Sequence, residues 1–255
     1  MVQTLFYKLT PICFFRFLEK LVELVHLLVT NHLRRLEGRL LPQFSVPQFL
    51  SLFFSFTFEQ TDWGRYASCL DTWQVFLNYV KQSSNANGNH SIFNGDSLAL
   101  RYQDSLVTLS EHVLLKTLFA SNITQLEELD DEAVDGNVLL FHKSCKLLLD
   151  FLFSFFELQM ETERQKIQHQ SIEIFVTAGE LVRNQTLSLL NEPFQRCTSA
   201  YRSLTSLSTT NNNVVRLESK EQLKEMLVLF KDLAMLIQLV GRLSELHTGP
   251  DYCTQ

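Results

Sequence analysis

The chain predicts an all-α protein of paired helices. Phe is abundant while helix breakers are scarce (21 Phe against 8 Gly and 5 Pro), which favours long helices over a sheet protein. Apolar residues recur at steps of three and four, the period of a helix with one buried face. Apolar content of 45% over 255 residues is ample for a core.

The first helix begins near Pro11, a residue suited to an opening turn. Phe14, Phe17, Leu18, Leu21, Leu24, Val25 and Leu28 form its apolar stripe. After Gly38 and Pro42 a second helix starts near Pro47; Phe49, Leu50, Phe53, Phe54 and Phe56 make it apolar on nearly every side, so it should be buried. Thr61 or Asp62 can cap a third, with Leu70, Trp73, Phe76, Leu77 and Val80 as its stripe. Lys81–Gly95, rich in Asn and Gly, reads as a flexible loop.

Asp96 or Ser97 restarts a helix bearing Leu98, Tyr102, Leu106, Leu109 and Val113 on one face. Asn122 caps a short segment that Gly136 ends. Another helix spans Val138 to about Met160, and the next runs from Thr162 to about Asn191, where Pro193 stops it. A shorter one from Phe194 to Leu207 leads into a polar loop at 208–213. The last, from about Glu218, places Leu223, Met226, Leu227, Phe230, Leu233, Ala234, Ile237 and Val240 on one stripe, with Gly241 small enough to let another helix approach.

Hairpins of such helices suit a compact bundle or an α-solenoid. HEAT units take about 40–47 residues, which fits between five and six of them into 255. The solenoid, one HEAT-like segment over residues 1–255, is the preferred reading.

A net charge of −6 and a pI near 5.7 argue against nucleic acid, whose binding needs Lys and Arg on phosphates. The apolar N-terminal stretch is interrupted by Arg16, Glu19, Lys20 and Glu23, and the uncharged run Val46–Phe58 is short, so neither is expected to insert in a membrane. Lys8 stands alone with no small-residue cleavage site after it, unlike a signal peptide. Cys13, Cys69, Cys145, Cys197 and Cys253 form no C-x-x-C pair and suit a reducing compartment. Sequons at Asn89, Asn122 and Asn184 pull the other way.

Phosphate cradles, dinucleotide fingerprints and hydrolase elbows are missing from the sequence, so no cofactor and no catalytic residue is assigned. His142 and Cys145 lie three apart without a second pair, which favours a structural role over zinc. Trp63 and Trp73 read as core. One stretch stands out: Glu127, Glu128, Asp130, Asp131, Glu132 and Asp135 place six acids in nine residues, within an acidic loop at 125–136. It reads either as a solvated connector or as a docking site for a basic partner; the spacing of a calcium loop is absent.

Five segments carry a resemblance: QLEELDDE (125–132), SCLDTWQVFLNY (68–79), LPQFSVPQFLSLFFSFTFEQ (41–60), RYQDSLVTL (101–109) and QLVGRLSEL (238–246). In that content and order the chain resembles a nuclear export receptor of the importin-β (karyopherin) family, over a stretch in the N-terminal half. The resemblance implies a HEAT-repeat solenoid, no enzyme, that binds Ran-GTP and carries profilin–actin from nucleus to cytoplasm, with nuclear pore components as further partners. Residues 82–95 and 208–213 match nothing in that family. The alternative is a Ran-independent helical scaffold or adaptor.

Overall fold

The computed structural model describes residues 11–37, 44–86, 98–128, 163–206 and 220–245, and every regular element among them is an α-helix. They are α1 (Pro11–Glu37), α2 (Val46–Phe58), α3 (Trp63–Ala86), α4 (Leu98–Arg101), α5 (Gln103–Thr117), α6 (Phe119–Glu128), α7 (Glu163–Leu181), α8 (Arg183–Ser188), α9 (Asn191–Ser206) and α10 (Lys220–Glu245). Chain neighbours pair (α2 on α3, α7 with α8, α9 on α10), the pattern from which an α-solenoid is assembled. They group into two compact units, Met1–Leu109 and Ser110–Gln255.

Local chemistry sets the ends of the helices in the first unit. Ser45 caps α2 by accepting from Gln48 N at 3.4 Å, with Pro47 in the opening turn where no amide partner is needed. Asp62 caps α3, its Oδ1 accepting from Arg65 N at 2.8 Å. The expected α3 stripe is the core: Leu70, Trp73, Phe76, Leu77 and Val80 are all buried, and α1, α2 and α4 pack on this helix. Trp73 stacks on Phe53 at 5.1 Å and donates from Nε1 to Thr57 Oγ1 at 3.0 Å, so the indole is satisfied in the interior. Trp63, half-buried, meets Tyr66 edge-on at 5.7 Å.

Four expectations about elements need correction. The buried face of α1 is Val22, Val29 and Leu33, with His26 Nδ1 within 3.1 Å of Thr72 Oγ1, whereas Phe14, Phe17 and Leu24 are exposed. The helix has two apolar faces about 100° apart, and α3 takes the one that continues to its C-terminal end. On α2, Leu52 points outward and is 68% exposed, so this helix has a solvent side despite its composition. The third helix runs on to Ala86, taking in Lys81–Ala86, which composition assigned to a loop. The remainder of that loop lies outside the described residues.

The fourth correction concerns the second unit. The helix expected over 162–191 breaks at Val182 (φ −135°, ψ 56°), and Pro193 lies in the first turn of α9 rather than stopping its predecessor. Pro is favoured in an opening turn because no intrahelical amide bond is lost there. The last helix is the hub: α6, α7 and α9 all pack on α10. Its core face is Met226, Leu229, Met235, Leu236, Leu239 and Leu243, meeting Leu118, Ile172, Phe175, Leu190 and Cys197. Ile237 and Val240, expected on the buried stripe, are exposed.

Close approach in this unit depends on Gly179, not Gly241. A Cβ on Gly179 would stand 2.6 Å from Leu243 Cδ2, so α7 and α10 touch where a side chain is missing. At Gly241 an added Cβ would meet nothing within 4 Å. The helix expected over 138–160 and the tract 208–213 lie outside the described residues. No described helix is long and apolar enough to cross a membrane.

Candidate functional site

The acidic run starts on α6. Glu127 and Glu128 occupy its final turn, and Asp130, Asp131, Glu132 and Asp135 lie outside the described residues, as do His142 and Cys145. Carboxylates at a helix C-terminus meet the negative end of the macrodipole.

What fixes α6 is a joint that the sequence reading missed. Asp232, 3% exposed on α10, accepts from Phe119 N at 2.6 Å and Ala120 N at 3.1 Å. One carboxylate thereby satisfies two of the four amides that a helix start leaves open. Burial pushes the Asp232 carboxyl above its ordinary value, while these two bonds and the Arg196 and Arg164 charges pull it down. The Phe119 ring has the Arg164 guanidinium 3.4 Å and the Lys231 ammonium 4.6 Å from its centroid, a cation–π arrangement in a nearly buried place. An acid within the apolar run of α10 was the available signal, because an unpaired charge is rarely left in a core.

Asn122 caps, but in the opposite sense to that expected. Its backbone leaves the helical region (φ −141°, ψ 33°) and its Nδ2 donates to Leu115 O at 2.6 Å and Leu118 O at 3.3 Å. It closes the end of α5 instead of opening α6. That amide nitrogen is the atom a sugar would occupy, and it is engaged. At the sequon of Asn184, Thr186 is fully buried with its hydroxyl on Val182 O at 3.0 Å. Asn89 lies outside the described residues.

A second polar joint ties the first unit. Glu37 at the end of α1 accepts from Tyr102 Oη at 2.7 Å, Arg101 Nη1 at 3.1 Å and Tyr79 Oη at 2.8 Å. Burial, then Glu37, holds the protons on both phenols and raises their pKa values. Cys69 and Cys197 are buried thiols, and burial pushes Cys69 up to about 11, leaving little thiolate for reaction. Among the described residues no group of His, Cys, Asp and Glu could hold a metal ion.

No protein-family profile and no solved structure matches the chain. Curated proteins do. It is 32% identical over 235 residues to exportin-6 of Danio rerio and 32% over 237 residues to exportin-6 of Homo sapiens, each match taking 91% of this chain and 18% of that protein. Exportin-6 of Dictyostelium discoideum is 27% identical over 229 residues, 90% of this chain and 19% of that protein. The chain thus spans about a fifth of the length of its relatives, and over nine-tenths of its own length it is a sequence relative of one stretch of exportin-6.

Proposed function

We propose that this chain is a non-catalytic stretch of an exportin-6-like nuclear export receptor, one that binds Ran-GTP and carries profilin–actin from nucleus to cytoplasm, shuttling between them. The observation that carries the reading is identity of 32% across 91% of the chain; the pairing of helices supports it. In such a receptor Ran performs the nucleotide chemistry, and the helices contribute contact surface. Cargo and Ran then favour each other's binding by the same factor, since coupling between sites is reciprocal. Nuclear pore components are a further class of partner.

Within that reading, Glu127, Glu128, Asp130, Asp131, Glu132 and Asp135 offer carboxylates to a basic surface on Ran or the cargo. Asp232 supports this role, since it fixes the start of the helix from which the run departs. Attraction of this kind speeds association and weakens as salt rises. Reversing Glu127, Glu128, Asp130 and Asp131 to Lys in the receptor should lower capture of Ran-GTP or profilin–actin and flatten its salt dependence in a pull-down. Unchanged capture and an unchanged salt slope would remove the run from the interface.

A further inference from the structure

The core of the second unit takes Ile172, Phe175 and Val176 from α7. About a third of a turn round the helix, Ile167, Ile174 and Ala178 are buried as deeply, at 0–3% exposed, and steps of seven and four put them on one stripe. A helix sealed on two sides has a neighbour on each. The short α8 adjoins one end of this stripe, where Thr186 lies near Gly179, about 18 Å along the axis from Ile167.

Residues 138–160, expected from their sequence to be a helix, carry the complementary pattern. Lys143, Lys146, Asp150 and Glu157 step by three, four and seven, so every Lys, Asp and Glu of the segment falls on one narrow strip. The rest of its surface is largely Leu and Phe and has to be covered. Only Glu161 and Thr162 separate its expected end from Glu163, where α7 begins. So short a connection makes consecutive helices antiparallel neighbours.

The register follows by counting back from that turn. Phe156, Leu149 and Cys145 are spaced by seven and four in reverse order, matching Ile167, Ile174 and Ala178 step for step. We propose that residues 138–160 lie antiparallel on the second buried face of α7, with Phe156 over Ile167, Leu149 over Ile174 and Cys145 over Ala178. The segment thereby becomes the outer member of a helical hairpin whose inner member is α7.

Two measurements on the full chain test it. Under mild oxidation Ala178→Cys should form a disulfide with Cys145, identified by mass spectrometry of the linked peptides, whereas Glu180→Cys, exposed on the opposite side of α7, should not. No such disulfide, or equal yields from the two positions, would overturn the register. A double-mutant cycle of Leu149→Ala and Ile174→Ala, read by urea unfolding, should show coupling of about twofold or more in the unfolding equilibrium constant. Additive effects would mean that something else covers α7. Should the alanine variants not fold, the milder pair Leu149→Val and Ile174→Val carries the same cycle.

Discussion

Two glycines sixty-two positions apart have opposite standing. At Gly179 a methyl group would stand 2.6 Å from Leu243 Cδ2, so that this 5%-exposed side chain must shift within the core; at Gly241 it would project into open space. Ala favours a helix interior over Gly by about 1 kcal/mol, and overpacking a core costs about 1–3 kcal/mol. Gly241→Ala is therefore expected to stabilise by up to about 1 kcal/mol, and Gly179→Ala to be less stable than it by about 1–3 kcal/mol, as denaturant unfolding would read. Neither outcome was available from sequence, where both glycines sit within expected helices and nothing says which of them meets a neighbour. At the same scale, the Tyr102 phenol has its pKa raised by burial and then by Glu37. A folded-state pKa above the unfolded one means stability that is present below the unfolded value, about pH 10, and lost as pH rises through the folded value. Ultraviolet titration should show this tyrosine silent until the protein unfolds in alkali, and Glu37→Gln should bring its ionisation to lower pH.

Helices as elements obey the sequence unevenly. The stripe on α3 came through residue for residue because it faces three partners, α1, α2 and α4, so that one apolar face had only one way to be covered. On α1 the same reasoning was only partly right: Leu18, Leu21, Val25 and Leu28 are half-buried, but Phe14, Phe17 and Leu24 are exposed and the deepest positions are Val22, Val29 and Leu33, because periodicity cannot say which of two adjacent apolar faces has a neighbour. The outer side of α10, with Ile237 and Val240, repeats the error for the same reason. Replacing Leu24, 63% exposed, by Lys should change unfolding free energy by no more than about 0.5 kcal/mol, whereas Val29→Lys, at a site 4% exposed, should prevent stable folding; thermal melts of the two distinguish the faces. Asp232 stood out as an acid in an apolar run, but its partner was hidden for a different reason. Its role is to cap a helix 112 positions away, and that distance can be crossed only by the fold.

For the whole molecule, the all-α class and its paired helices were legible from composition and period, because few Gly and Pro leave long apolar runs no other economical arrangement. The family likeness was legible too, from segments of residues rather than from physics. The site was the least legible: two of its six carboxylates lie on α6 and the run's charge says only that a basic surface would be attracted. Nucleotide dependence is the sharpest test of the proposed role in an export receptor. Profilin–actin should be retained on the receptor several-fold better with GTP-loaded Ran than with GDP-loaded Ran, the size expected of a coupling of about 1–3 kcal/mol. Equal retention in the two nucleotide states would contradict the claim and leave a Ran-independent helical scaffold in its place.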